Sequence, residues 1–378
     1  MRKLFTLILL GLMVACSPKK EPIPQTKYTD QQLGQLLIVG FRGTEINKDT
    51  PIVQQIKEYN IGGVILYDYD IDSKSDGRNI TDPNQLLKLS SALVAYSSTP
   101  PIISIYQEGG KVNQLQEKYG FPKSVTAKYL GEIDDKDSTQ FYARKMAQEF
   151  MVVGVNTNFA PVLDVNTHPG TSIISKNGRS FSSNPTTVIE HAGYMLDEFD
   201  KEGILTVIKH FPGYGSSKDD ATIRKADVTE TWTDVELKLY QTLFASRQIN
   251  AVMTAHTYNA NIDSLWPATL SSSTINGLLR DSLGFGGVVI SDDMQMAAII
   301  DHYELDTALE QAMNAGVDMF LFGNNLKYDE HIAENAIHTM QKLIANNRVS
   351  EATVDSALAR VGRLKKNVIE DLCTCLTF

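Results

Sequence analysis

Eight short apolar runs alternate with amphipathic helical stretches along most of this chain, and that alternation constrains the fold more than any other feature. The runs are Leu36 to Phe41, Gly63 to Tyr67, Pro101 to Tyr106, Thr157 to Leu163, Leu205 to Phe211, Ala251 to His256, Gly287 to Ser291 and Met319 to Phe322. They are rich in Val, Ile and Phe and lack polar alternation, as parallel strands buried on both faces do. Helical patterns lie between them at Gln85 to Ser97, Thr139 to Val153, Thr187 to Lys201, Glu236 to Arg247, Ile275 to Leu283 and Thr307 to Ala315, and His331 to Asn346 opens the closing region. Gly154 and Gly203 stand where helix ends favour positive φ. Regular β and α alternation allows a doubly wound sheet or a (β/α)8 barrel. Eight repeats favour the barrel, and no Gly-x-Gly-x-x-Gly turn follows the first run, which counts against a dinucleotide fold. The expectation is an α/β chain forming a single (β/α)8 TIM barrel.

The polar residues that end these runs say what such a barrel would hold. The third run ends in Tyr106-Gln107-Glu108-Gly109-Gly110, the fourth in Asp164, the fifth around Lys209-His210, the sixth at His256 and the seventh at Asp292-Asp293. Carboxyl ends of strands form the face on which barrel enzymes assemble their chemistry. Taken singly, Asp164 and Asp293 read better as buried hydrogen-bonded groups or caps. Five such ends on one rim read as a pocket for a polar substrate.

Charge narrows the partners. The formal charge is -10 over 378 residues, and no basic stripe interleaves with aromatics, so nucleic acid is excluded as a partner. Arg2 and Lys3 precede an apolar stretch from Leu4 to Val14, followed by Ala15 and Cys16. This stretch is too short to span as a mature helix and resembles a bacterial lipobox, which implies cleavage before Cys16 and lipidation of its thiol. An ordinary signal peptide with an incidental cysteine is the disfavoured alternative. The expected layout is a signal peptide over 1–15, a lipoprotein tether over 16–28, the barrel over 29–366 and a tail over 367–378. The implied location is the cell envelope, on a periplasm-facing outer membrane, with the lipid as the only membrane attachment. Cys373 and Cys375 are too close for an unstrained mutual disulfide and have no nearby His, so they read as part of a frayed tail.

Several segments in order resemble glycoside hydrolase family 3, in particular its single-domain exo-β-N-acetylglucosaminidases. They are Gln107-Glu108-Gly109-Gly110, Asn158 to Asp164, Gly178-Arg179-Ser180-Phe181, Lys209-His210-Phe211-Pro212-Gly213, Met253 to His256, Pro267 to Ser271 and Ser291-Asp292-Asp293-Met294. The resemblance implies a barrel and a retaining glycosidase in which Asp292 is the nucleophile; a carboxylate can form and later release a glycosyl ester. It implies that Lys209, His210 and Arg179 hold sugar hydroxyls, with His256 and Glu108 in the same pocket. No cofactor and no metal are implied, because the Asp and His residues come from separate strand ends without metal-ligand spacing. The implied ligand is a carbohydrate: terminal β-linked N-acetylglucosamine, or a related sugar, from cell-wall fragments.

Several positions depart from the family pattern, Lys111 in place of an arginine among them. The usual loop carries an acid/base histidine two residues after an aspartate; here Asp220 stands at the aspartate position and Thr222 replaces the histidine. Threonine has no pKa near neutrality. Asp219 and Asp220 become the candidate acids. Tyr106 replaces an aspartate and Gln114 an arginine, both of which grip sugar hydroxyls in the family. A working glycosidase is the favoured reading. The alternatives are a catalytically impaired glycan-binding lipoprotein and a nonenzymatic scaffold.

Overall fold

The computed structural model describes residues 26–369. The expected signal peptide, Cys16, most of the tether, and Cys373 and Cys375 lie outside the described residues. Tyr28, the last residue of the expected tether, is buried; its hydroxyl donates to the Glu351 carbonyl and the Asp355 carboxylate at 2.8 Å each.

Each of the eight apolar runs contains a strand: β1 (Leu37–Gly40), β2 (Gly63–Ile65), β3 (Ile102–Ile105), β4 (Thr157–Asn158), β5 (Leu205–Phe211), β6 (Ala251–Thr254), β7 (Val288–Ile290) and β8 (Phe320–Phe322). They form one eight-stranded sheet in the order β7-β6-β5-β4-β3-β2-β1-β8, with parallel pairing throughout. A parallel bridge between Ile290 and Met319 joins the two edges. The sheet is therefore the expected barrel. Closure removes the edge strands, and the strand residues are buried on both faces.

β4 is shorter than the sequence suggests because Pro161 has no N–H to give to a ladder. Pairing resumes beyond it, where Val162 bridges Lys209. Residues 159–164 thus reach the rim as an extended strap that carries Asp164.

The outer layer is α1 (Pro51–Tyr59), α2 (Pro83–Tyr96), α3 (Lys136–Val153), α4 (Pro185–Lys201), α5 (Val235–Ser246), the π-wound α6 (Ser273–Ser282), α7 (Leu305–Ala315) and α8 (Ile332–Ala345), with α9 (Glu351–Leu364) following. α1 and α9 extend the helices legible in the sequence. Sequence-local signals set their ends. Asp82 caps α2 through Gln85 N at 2.9 Å and Asp135 caps α3 through Ser138 N at 2.8 Å, while Gly154 ends α3 at φ 72°. Inward stripes such as Leu86, Leu89 and Leu93 of α2 pack on the barrel, each side chain contributing about 1.5–3 kcal/mol. Among the described residues, no helix is long and apolar enough to cross a membrane.

Candidate active site

The chain after β7 is tied to β8 before its carboxylates are placed. Ser291 Oγ accepts from Leu321 N at 3.0 Å, and Asp293 Oδ1 accepts from Gly323 N and Gln295 N at 3.0 Å each. Asp293 is therefore an anchor of the turn, as its reading as a buried hydrogen-bonded group requires. Burial raises its carboxyl to about 6. Asp292 is 6% exposed, and its Oδ1 accepts from Asp293 N at 2.9 Å and from the Tyr106 hydroxyl at 2.9 Å. Its Oδ2 has no hydrogen bond among the described residues. Burial acts to raise the Asp292 carboxyl, and the electrostatic pull of the neighbouring His210, His256 and Lys209, with the Asp293 N–H, outweighs it and holds it below the usual range.

Glu108 arrives on the turn after β3. Asn158 of β4 fixes that turn by accepting from Gln107 N at 3.1 Å and donating to Gln107 O at 3.0 Å. Gly109 sits at φ 94°, where a Cβ would lie 2.2 Å from the Val125 carbonyl oxygen, so only glycine fits. Arg179 clamps Glu108 with two bonds of 2.7 Å, and Lys209 Nζ lies 2.5 Å from the same carboxylate. The lysine contact is close in charge terms but not aligned as a directed hydrogen bond. Burial alone would raise the Glu108 carboxyl; the Arg179 and Lys209 charges outweigh it and hold it at about 2. Burial in turn lowers the fully buried Lys209 ammonium, against the pull of Glu108.

His210 Nδ1 lies 2.6 Å from Asp164 Oδ2, and its Nε2 is 3.2 Å from Arg179 Nη2. A guanidinium can only donate, so Nε2 accepts and Nδ1 carries the proton. Asp164 also accepts from Tyr214 N at 2.8 Å, so it orients His210 and anchors the loop after β5 in one stroke. Sequence reasoning gave Asp164 a structural role without that connection.

The structure thus brings Asp292, Tyr106, Lys209, Glu108, Arg179 and His210 together. His256 is 2% exposed: its Nε2 contacts the Asp293 carbonyl at 2.9 Å and its Nδ1 the Thr269 hydroxyl at 2.8 Å. Both ring nitrogens are committed to protein, and burial lowers its pKa first of all. Gln114 is likewise engaged, with Oε1 accepting from Asp68 N at 3.0 Å and its own N–H donating to Gln107 at 2.9 Å.

The loop after β5 is packed down. Asp220 Oδ1 accepts from the Thr222 hydroxyl at 2.7 Å and Thr222 N at 3.0 Å, and Asp219 faces Arg224 at 3.7 Å on the surface. Neither carboxylate bonds to Asp292. Tyr214 stacks edge-on against His210, 5.5 Å between centroids, and joins Ile174, Ala221, Ala226 and Ala298 in a small apolar cluster. The Ala221 carbonyl accepts from Ala298 N at 3.0 Å.

One contributor had no functional signal in the sequence. Glu236, at the start of α5, is 1% exposed and accepts from Val165 N at 3.1 Å and Gly215 N at 2.9 Å. Burial, and then the neighbouring Asp164 charge, push its carboxyl well above the usual range. Gly213, at φ 133°, passes so close that a Cβ would meet Glu236 Oε2 at 2.4 Å. Among the described residues, no group of three or more His, Cys, Asp or Glu side chains is placed to hold a metal ion.

A barrel whose β7 delivers a buried carboxylate beside a lysine and a carboxylate–arginine clamp has close relatives. Residues 28–364 match the family model described as the glycosyl hydrolase family 3 N terminal domain. The chain is 28% identical to β-hexosaminidase A of Pseudoalteromonas piscicida, covering 89% of this chain and 61% of that protein. It is 33% identical to a β-hexosaminidase of Alkalilimnicola ehrlichii, covering 76% of this chain and 80% of that one. The solved family 3 β-N-acetylglucosaminidase of Paenibacillus superposes with a TM-score of 0.81 at 30% identity, over 90% of this chain and 62% of its own. The chain belongs to glycoside hydrolase family 3, a family of glycosidases. It spans somewhat under two thirds of two of these relatives.

Proposed function

We propose that this protein is a retaining, exo-acting β-N-acetylhexosaminidase that releases terminal β-linked N-acetylglucosamine or a related sugar from cell-wall glycan fragments. The observation that carries this reading is Asp292: a buried carboxylate with one oxygen held by two donors and the other carrying no hydrogen bond among the described residues, 2.9 Å from Tyr106 and under the field of Lys209. Relatives named β-hexosaminidase support the substrate class. In this reading the Oδ2 lone pair of Asp292 attacks the anomeric carbon, the bond to the leaving oxygen breaks, and water later cleaves the glycosyl ester. Lys209, Arg179 and His210 hold the sugar hydroxyls against that carboxylate. The lipobox-like segment ending at Cys16 supports placement at the cell envelope by a lipid anchor.

Leaving-group protonation is the weak step. The loop offers Asp219 and Asp220, and Asp220 already holds Thr222. A panel of chromogenic glycosides, with mass spectrometry for a covalent adduct at Asp292, tests the proposal and reports the sugar. Absence of both turnover and adduct across the panel would refute it.

A second reading, a glycan binder without turnover, draws on one feature. Three of the candidate sugar-gripping donors already have a protein partner: Arg179 in Glu108, His210 in Asp164 and Tyr106 in Asp292. Saturable glycan binding with no adduct would select it.

A further inference from the structure

Tyr106 stands where the family resemblance implies a sugar-binding aspartate, yet its hydroxyl reaches the protein's own Asp292. The ring is fixed from several sides. Phe159 meets it edge-on at 5.2 Å, Tyr67 lies 6.5 Å away, and it immediately precedes the Gln107 turn that Asn158 holds. Lys209 Nζ sits 4.3 Å from the ring centroid. A cation over the face is attracted to the ring and adds to what fixes it, and a hydroxyl that donates to a carboxylate forms a charge-assisted bond. The hydroxyl points at Oδ1, the oxygen that also takes Asp293 N, so both donors load one oxygen.

We propose that Tyr106 is a positioning residue for the reaction: by donating to Asp292 Oδ1 it reserves Oδ2 for attack and stabilises the carboxylate as it is released from the glycosyl ester. The inference rests on the glycosidase reading above. In the first step the Oδ2 lone pair forms the ester bond, and the leaving oxygen departs with the electron pair of the bond that breaks. In the second step water attacks the anomeric carbon and gives up one proton to solvent, the ester C–O bond breaks, and its electrons return to Asp292, where negative charge reappears next to the tyrosine O–H. The phenolic proton stays on Tyr106 throughout. The donor therefore helps the second step, in which the carboxylate is the leaving group, and slightly restrains the first.

Tyr106→Phe keeps the ring, its stacking and the lysine contact and deletes only the hydroxyl. With a dinitrophenyl glycoside of the cleaved sugar, whose phenol needs no proton, glycosyl-enzyme breakdown limits the rate. The expected result is that kcat and KM fall together by at least about tenfold, a charge-assisted hydrogen bond expressed as rate, with kcat/KM nearly unchanged above its acidic limb. A larger burst and accumulating adduct at Asp292 accompany the fall. The acidic limb of kcat/KM moves upward, since Asp292 keeps Lys209, His210, His256 and Asp293 around it but loses one donor. Tyr106→Leu, which removes the ring as well, should show the same slow breakdown. Unchanged burst and limb in Tyr106→Phe, or faster turnover in either variant, would overturn the inference and leave the ring as a mere occupant of the site. Wild-type protein with neither turnover nor adduct would instead remove the glycosidase reading, and this inference with it. Wild-type turnover with an indifferent Tyr106→Phe removes this inference alone.

Discussion

Arg179 holds Glu108 in a two-bond fork, 2.7 Å at each bond, at the mouth of the barrel. The fork is the mechanical centre of the site, because the same Glu108 carboxylate also faces the fully buried Lys209, and the same guanidinium orders the tautomer of His210. Charge is balanced there at a cost in desolvation, so removing one partner matters more than the pair itself contributes.

Glu108→Gln should therefore destabilise the fold by about 3–5 kcal/mol, because it strands a lysine and an arginine without their counter-charge. Thermal denaturation checks it: a melting temperature within a degree of wild type would contradict the role. The carboxyl is depressed from 4.5 to about 2, so its stabilisation is full above pH 4.5 and is lost as pH falls from there through 2. Over that window wild type should lose about 3 kcal/mol that Glu108→Gln does not.

Asp293 works with the opposite sign. Its carboxyl is raised from 3.8 to about 6, so the fold favours the protonated form and this group's contribution is present below pH 3.8 and is lost as pH rises through 6. Asp293→Asn keeps an oxygen for Gly323 N and Gln295 N. Chemical denaturation at pH 4.5 and 7.5 should show the variant gaining on wild type as pH rises, by about 1–3 kcal/mol. Parallel pH dependence of the two proteins would reject the assignment.

His256→Ala should act on stability before it acts on binding. The imidazole bonds Thr269 and the Asp293 carbonyl, and deleting it removes both buried bonds beside Asp292 and leaves the carbonyl with Met296 N alone, a loss of about 1–3 kcal/mol. A variant that melts like wild type and changes only KM would show that the ring serves the sugar directly.

Leaving-group dependence follows from Thr222. General acid help is worth roughly two to four orders of magnitude for poor leaving groups. Wild type should cleave aryl glycosides of acidic phenols far faster than disaccharides, and Thr222→His beside Asp220 should narrow that gap by raising the disaccharide rate. Equal wild-type rates on both substrates would mean that an acid is already supplied, and Asp219→Asn and Asp220→Asn would then locate it.

The barrel was legible because its signals are local. Apolar runs such as Val288 to Ile290, caps such as Asp135 and stops such as Gly154 each act within a few residues, and their repetition specifies the architecture. Proline at 161 was equally local, and it shortened β4 for the reason any proline interrupts a ladder. The site was legible as an inventory, since Asp292, Lys209, His210 and Glu108 stand at strand ends. Glu236 gave no such signal: it sits on a helix, and only the approach of Gly213 and Gly215 makes it part of the loop's foundation.

Residue identity and order determined a closed parallel barrel, the absence of a histidine at Thr222, and a tyrosine at 106 in place of an aspartate. Tertiary structure alone decided what those residues do with one another. It set Tyr106 on Asp292 across 186 positions of chain, turned His256 into the turn's support, and committed Arg179 to Glu108. The reason is physical: hydrogen bonds and ion pairs form over about 3 Å, and only barrel closure brings strand ends that far apart in sequence within such a distance.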